Sequence, residues 1–324
     1  MKHLFIVNPM AGKITGRVNE IVNDIQSFFA CNPKLDYTIH ITRWKRDASG
    51  YTLRYVNNTR EIVRIYVFGG NGTFFEIING AVGLPNVQIA WYPLGRNNSL
   101  LYSFGVERLS AFQSLRNLSL SPVSTIDTIK AGNNYMAINA LIGGEAAAFK
   151  WGESMANHFN LPRNLCYIGA GIVNGFFNRQ SQRYYFEMED TQFQGNFRSV
   201  LVTNAPTYGS GLRPAVDASL NDGYMDLYTI ASIPQCKLLK VVGDYTQGNY
   251  KKWPGYIRHY RCKKLKITSD SIMTISLDGE FFYRTALNFE VFPGSLDFVC
   301  PPGINIPVQS GNKARPAETS VWGA

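Results

Sequence analysis

The chain has 324 residues, 45% of them apolar, and 32 basic against 23 acidic side chains give a net charge of +9. That much apolar material suits a large core in two domains rather than one, and the basic surplus suits an anionic partner: nucleotide, nucleic acid or acidic membrane. The cysteines at 31, 166, 236, 262 and 300 form no C-x-x-C pair, which argues against zinc and disulfide frameworks and makes a reducing cytosol the default.

In chain order, His3 to Val7 reads as a strand and not a secretory segment, because the apolar run is short and stops at Asn8-Pro9. Residues 16–30 carry Val18, Ile21, Val22, Ile25 and Phe28 at helical spacing. Leu35 to Thr42 alternates as a second strand, 47–58 reads as a helix, and 62–68 as a third, fully apolar strand. A helix over 73–82 and a strand over Ile89–Pro93 follow. Strands alternating with helices predict a parallel, Rossmann-like sheet covered on both faces. Ligands bind such sheets beyond the carboxyl ends of the strands, where loops 8–13, 69–73 and 93–99 lie. No apolar stretch reaches the roughly 20 residues that span a bilayer.

The third strand runs straight into Gly69-Gly70-Asn71-Gly72-Thr73, and Phe74, Ile77, Ile78 and Ala81 then share one helical face. Strand, glycine turn and helix together offer backbone N–H groups and a helix N-terminus to a phosphate. Neither G-x-x-x-x-G-K-[ST] nor G-x-G-x-x-G is present. A tight strand-to-helix turn with Thr73 as N-cap is the alternative.

Near residue 120 the texture becomes β-rich: Thr125–Ile129, Asn134–Ala140, Tyr184–Met188, Arg198–Thr203, Tyr224–Ile230, Lys263–Thr268 and Ser271–Ser276, with 145–178 largely helical. The expectation is a nucleotide-type α/β domain over 1–123 and a β-sandwich over 124–289. Residues 290–308 either continue the sandwich or return to the first domain, and the polar tail 309–324 is expected to be disordered.

Six ordered motifs carry a resemblance. Asn8-Pro9-Met10-Ala11-Gly12-Lys13, Thr42 ahead of Asp47-Ala48, G-G-N-G-T with Glu76 and Asn79-Gly80, Pro93-Leu94-Gly95 with Asn98, Asn221-Asp222-Gly223-Tyr224-Met225-Asp226 and Leu277-Asp278-Gly279-Glu280 occur in that order. The chain resembles the diacylglycerol kinase catalytic-domain superfamily, which includes bacterial lipid kinases and sphingosine and ceramide kinases. The resemblance implies an NAD kinase/diacylglycerol kinase-like α/β domain followed by a β-sandwich, with the active site between them. It also implies transfer of the γ-phosphoryl group of ATP to a lipid hydroxyl, with Mg2+. Residue by residue it implies nucleotide binding at Asn8, Gly12, Lys13, Thr42, Gly69, Gly70, Asn71, Gly72, Thr73, Glu76, Gly95, Arg96 and Asn98. Asp278 would be the general base, with Glu280 holding a metal, orienting Asp278 or acting as base itself. A structural magnesium would take carbonyls of Ser219 and Tyr224 and the carboxylate of Asp222. An Asp-Gly turn at 278 and a hairpin turn at 221–223 are the plain structural alternatives.

The chain departs from the family pattern twice. Asn71 stands where the family has aspartate, and Arg96-Asn97-Asn98-Ser99 stands where bacterial relatives have T-[AG]-N-D. Both changes move the site toward positive charge, so phosphate charge is expected to be met partly by Arg96, whose guanidinium suits bidentate phosphate binding. The first expectation is a lipid kinase acting on diacylglycerol, a sphingoid base or a related lipid. The second is a kinase-like protein that binds nucleotide, phosphate or lipid without turnover. The third is a kinase acting on a soluble substrate.

Arg258, His259, Arg261, Lys263, Lys264 and Lys266, with Trp253, Tyr256 and Tyr260, suit an anionic lipid surface. A lysine-guarded edge strand is the alternative, and no nucleic-acid module is visible. His3, His40, His158 and His259 show no metal spacing and read as structural, and Tyr102 and Phe104 read as core. The expected localisation is cytoplasmic with transient membrane association; oligomeric state stays open, a homodimer included.

Overall fold

The computed structural model describes residues 1–12, 16–31, 35–159, 161–177 and 181–306, so Lys13 and the tail 309–324 lie outside the described residues. The alternation read from the first third becomes β1 (Lys2–Val7), α1 (Val18–Ala30), β2 (Asp36–Ile41), α2 (Asp47–Asn57), β3 (Val63–Gly69), α3 (Asn71–Ala81), β4 (Val87–Pro93) and the short α4 (Ser99–Tyr102) and α5 (Leu115–Leu120). The strands run parallel in the order β2-β1-β3-β4. All seven residues of β3 are buried, as expected of a parallel strand covered on both faces. Helix α1 buries Ile21, Ile25 and Phe29 at four-residue spacing, each contributing about 1.5–3 kcal/mol by transfer from water.

The second part contains β5 (Val123–Ala131), β6 (Asn134–Met136), β7 (Asn139–Gly143), α6 (Gly144–Phe159), α7 (Arg163–Phe177), β8 (Gln182–Met188), β9 (Gln192–Phe197), β10 (Ser199–Thr203), β11 (Met225–Ile230), α8 (Gln235–Thr246), β12 (Ile257–Cys262), β13 (Lys264–Leu277) and β14 (Glu280–Val299). The predicted helical stretch 145–178 is two helices, broken at the Leu161-Pro162 step ahead of α7. The two segments expected over 263–276 are one strand, β13, with a register shift between Thr268 and Met273.

The domains share one sheet, ordered β12-β11-β10-β7-β13-β14-β4-β3-β1-β2 along its main path. Strand β14 joins them. Its first half pairs antiparallel with β13, its register against β5 shifts between Phe292 and Leu296, and Asp297 and Phe298 then pair parallel to β4. Residues 296–299 thereby extend the sheet of the first domain. Among the described residues no helix is long and apolar enough to cross a membrane.

Candidate active site

Loops after β1, β3 and β4 meet at one sheet end. Gly95 N–H donates to Gly69 O (3.0 Å) and Asn71 N–H to Asn97 O (2.9 Å). A Cβ on Gly95 would lie 2.0 Å from Gly70 Cα, and one on Gly70 would lie 2.7 Å from Asn97 O. These two glycines are therefore required by loop-to-loop contact, a constraint the phosphate reading did not contain. Asn8 Nδ2 donates to Thr73 Oγ1 (2.9 Å), and a Cβ on Gly12 would strike Arg96 Cγ at 2.4 Å. Thr42 N–H donates to Val7 O (2.9 Å), which places Thr42 at the same end.

Two features fit a phosphate-bearing ligand. Gly72, in the first turn of α3, has room for a Cβ, which would stand in ordinary contact with Glu280 Oε1 at 3.5 Å. Asn98 is 7% exposed, donates to Gly95 O (3.2 Å), and leaves Oδ1 buried without a partner.

Two expected nucleotide ligands are otherwise engaged. The amide of Asn71 is closed on Ser99, donating to its Oγ (2.8 Å) and accepting its N–H (2.8 Å). Glu76 accepts Arg46 N–H (2.8 Å) and Ala48 N–H (3.3 Å), capping the start of α2. Burial raises the Glu76 pKa, against those N–H donors.

The D-G-E motif divides its labour. Asp278 and Gly279 both have positive φ (48° and 100°) and link Leu277 to its partner Glu280, as a type I′ two-residue hairpin requires. Asp278 does not reach into a cleft: it is 1% exposed, and its carboxylate accepts the N–H groups of Ala137 (2.9 Å), Ile138 (3.1 Å) and Asn139 (2.8 Å). Burial pushes its pKa up to about 7, opposed by those donors. Glu280 is the carboxylate beside Gly72, and Lys45 Nζ lies 2.6 Å from its Oε2.

The expected magnesium set at Ser219, Asp222 and Tyr224 does not fit a dication. Arg261 donates to Asp222 Oδ2, its Nε stands 3.6 Å from Asp226 Oδ1, and its guanidinium lies 4.7 Å from the Tyr224 ring centroid. Asp222 Oδ1 accepts Tyr224 N–H (3.1 Å), and the neighbouring Asp127 accepts Gly223 and Gly294 N–H (both 2.7 Å). Cationic charge and N–H donors already surround these carboxylates. No group of three His, Cys, Asp or Glu suited to a metal occurs among the described residues.

The basic cluster is likewise partly neutralised, because Lys264 pairs with Glu290 and Lys266 with Glu187 (both 2.9 Å). It lies on β12, at the end of the sheet order, and on its neighbour segment. His3 is paired with Tyr66 OH (2.8 Å), His40 with Asp47 (3.1 Å) and His259 with Asp226 (2.6 Å).

Behind loop 93–99 stands the second domain. Ser99 Oγ donates to Gly209 O (2.9 Å), and Asn97 Nδ2 donates to Tyr167 OH (2.8 Å) and to Glu153. Arg96 Nη1 and Arg163 Nη2 both donate to Asn157 Oδ1, each at 2.6 Å. Tyr167 and Tyr208 also wall a largely apolar, half-open cavity of about 100 Å³ lined by residues of α6, α7 and α8. Its floor holds Glu145, which accepts Tyr208 OH (2.5 Å) and Tyr245 OH (3.2 Å). Burial pushes the Glu145 pKa up to about 7. The sequence reading missed Glu145, Tyr167, Tyr208, Tyr245 and Lys45. An acid opening the otherwise apolar G-G-E-A-A-A start of α6 was the available signal for Glu145.

A nucleotide-type α/β domain with a glycine strand-to-helix loop, sharing its sheet with a β-rich domain that carries an apolar cavity, defines a two-domain protein of the NAD kinase/diacylglycerol kinase type. Residues 2–131 match the diacylglycerol kinase catalytic domain, and residues 143–300 match the YegS C-terminal NAD kinase beta sandwich-like domain. The chain belongs to the diacylglycerol kinase catalytic-domain superfamily. Proteins named "Putative lipid kinase" in Staphylococcus aureus strains N315 and Newman are each 25% identical over 248 residues, covering 75% of this chain and 79% of theirs. A crystal structure titled a "putative diacylglycerol kinase" from Bacillus anthracis strain Sterne shares the fold at a TM-score of 0.69 and 20% identity, covering 94% of this chain and 98% of that one. A second structure from that strain, titled a diacylglycerol kinase, gives 0.68 and 19%.

Proposed function

We propose that the protein is an ATP-dependent lipid kinase, transferring the γ-phosphoryl group to a hydroxyl of diacylglycerol, a sphingoid base or a related lipid. One observation carries this reading. The wall of the apolar cavity, Tyr167 and Tyr208-Gly209, is the surface that holds loop 95–99 against the G-G-N-G-T turn. A chain in the cavity and a phosphate at the turn would be neighbours, and phosphoryl transfer chiefly needs such positioning with charge neutralisation.

In this reading the first turn of α3 and Gly72 receive the phosphates, Arg96 meets their charge, and Glu280 takes the proton of the acceptor hydroxyl. Asp278 is a positioning residue that fixes the turn carrying Glu280. Lys13 is a further phosphate contact. Magnesium arrives with ATP as its chelate.

The reading includes transient membrane association of a cytoplasmic protein. Phe159, Leu161 and Leu165, at the junction of α6 and α7, and Leu239 on α8 are exposed. Lys237 and Lys240 stand on α8. Apolar side chains beside lysines suit an anionic leaflet, and these helices wall the cavity.

A second reading, binding without turnover, is favoured by Asn71, whose amide is closed on Ser99 and brings no charge to the loop. Radiolabelled ATP with a panel of diacylglycerol, long-chain amino alcohol, ceramide and water-soluble alcohols decides between them. Labelled lipid supports the kinase; nucleotide binding with no labelled product supports the second reading.

A further inference from the structure

Lys45 holds the carboxylate that would take the acceptor's proton, a contact the transfer reaction itself does not call for. Its Nζ lies 2.6 Å from Glu280 Oε2, and among the described residues it is the one polar partner of that side chain. Glu280 Oε1 in turn stands 3.5 Å from a Cβ placed on Gly72. The ammonium is therefore one carboxylate away from the first turn of α3.

The backbone around this pair is fixed, and the pair itself is not. Thr42 N–H donates to Val7 O (2.9 Å), Arg43 N–H to Asp47 Oδ2 (2.9 Å) and Arg46 N–H to Glu76 Oε1 (2.8 Å), so the segment carrying Lys45 is tied to the sheet, to α2 and to α3. Among the described residues Arg46 and Asp278 are the two non-glycine residues with positive φ, 68° and 48°. One adjoins Lys45, and the other stands two residues before Glu280. Left-handed backbone at a residue with a Cβ persists only where surrounding contacts impose it, and such positions gather at functional sites. The Lys45 side chain, by contrast, is 72% exposed and that of Glu280 28%. An ion pair so open to water is weakly held, and the four-carbon stem of lysine lets its charge swing while its Cα stays in place. Phosphates on the α3 turn bring several negative charges against the single one of Glu280.

We propose that Lys45 is a phosphate-binding residue that exchanges Glu280 for the phosphates of a bound nucleotide, so that nucleotide binding itself frees Glu280 to accept a proton. This rests on the nucleotide half of the lipid-kinase reading. With Lys45 on Glu280, Oε2 is taken by the ammonium; once Lys45 turns to phosphate, both carboxylate oxygens are open to the acceptor hydroxyl. In the transfer step the acceptor oxygen bonds to the γ-phosphorus, and the bond from that phosphorus to the β–γ bridging oxygen breaks. The hydroxyl proton goes to Glu280 and ADP leaves. Deprotonation of the acceptor therefore follows nucleotide binding and does not precede it.

The test is a double-mutant cycle on the full chain, read by calorimetry with ATP and magnesium. Lys45→Met is expected to weaken ATP binding by about tenfold, in the wild type and equally in Glu280→Gln. Lys45→Arg keeps the charge and is expected to stay within about threefold of the wild type. Glu280→Gln alone is expected to bind ATP at least as tightly as the wild type, because it releases Lys45. Melting temperatures without nucleotide check that Lys45→Met, at a largely exposed position, leaves the fold intact. Unchanged ATP affinity in Lys45→Met overturns the proposal. So does a Lys45→Met effect that vanishes in Glu280→Gln, since Lys45 would then serve only as the counter-ion of Glu280. Weaker ATP binding by Glu280→Gln alone overturns it as well. Labelled lipid formed by a Lys45→Met variant of unchanged ATP affinity removes this proposal and leaves the kinase reading. The expected loss of ATP affinity, with no transfer to any lipid by the wild type, supports this proposal and removes turnover.

Discussion

Asn71 and Ser99 are joined by two hydrogen bonds, side-chain amide to hydroxyl and backbone N–H to side-chain carbonyl, each 2.8 Å. The Ser99 hydroxyl passes its own proton to Gly209 O at 2.9 Å. Donors and acceptors therefore align through three segments of two domains. An aspartate at 71 could not donate to Ser99 Oγ. It would compete for the proton that Ser99 gives to Gly209, and would place a charge at a position 8% exposed.

Asn71→Asp is accordingly expected to destabilise the protein by about 1–3 kcal/mol. Thermal unfolding reads this as a fall of several degrees. An unchanged or raised melting temperature would show that the amide pairing with Ser99 is dispensable.

Arg96 and Arg163 approach one neutral acceptor, Asn157 Oδ1, from two domains. Glu153 Oε1 stands 3.6 Å from Arg163 Nε and offsets part of that charge, while Arg96 is bonded here to a neutral oxygen and is open to an added anion. Calorimetry with ATP in EDTA should still show binding, and Arg96→Met should weaken it by about tenfold. Complete dependence of wild-type binding on magnesium contradicts this.

Arg261 fills the place that the family resemblance gives to a structural cation. Chelation with EDTA should leave the melting temperature of the wild type unchanged. Arg261→Met leaves Asp222 with the Tyr224 N–H and Asp226 with His259 but removes their shared guanidinium, and a loss of about 1–3 kcal/mol is expected, discounted because Arg261 is partly exposed. Added magnesium should restore part of that loss. A wild type that melts earlier in EDTA would return the loop to metal binding.

Asp278 and Glu145 both have folded-state pKa values raised to about 7, from 3.8 and 4.5. An acid whose pKa rises on folding binds more protons in the native than in the unfolded state. Stability therefore declines as pH climbs from about 4 to about 7 and levels off above. Urea unfolding at pH 5 and pH 7.5 should show Glu145→Gln gaining on the wild type at the higher pH, by on the order of 3 kcal/mol at most. A difference independent of pH would mean that Glu145 titrates normally.

The first domain was legible because its parallel strands are apolar on both faces and its helices repeat every three to four residues. Strand β9 and helix α8 were not. Gln192–Phe197 alternates weakly around Gly195, and α8 buries only Leu238, Val241 and Tyr245 among polar neighbours. Motif order located the loops, yet the tasks of individual side chains depended on partners far along the chain. The N–H groups held by Asp278 are about 140 residues away, and Gly70 meets Gly95. Glu76 looked like a ligand from its motif and is a cap because the start of α2 folds over it. The conversion of a cation site into an arginine contact was unreadable because Arg261 lies on β12, 39 residues from Asp222.

The most direct test of the kinase reading is transfer of the labelled γ-phosphate of ATP to lipid by wild type, Glu280→Gln and Asp278→Asn, each checked for folding by circular dichroism. Labelled lipid is expected from the wild type, with a loss of about 10²–10⁴ in rate for Glu280→Gln. Asp278→Asn is expected to lower thermal stability together with activity, because it disturbs the turn and not the proton acceptor. No transfer by the wild type to any lipid of the panel, or full activity in a folded Glu280→Gln, would contradict it.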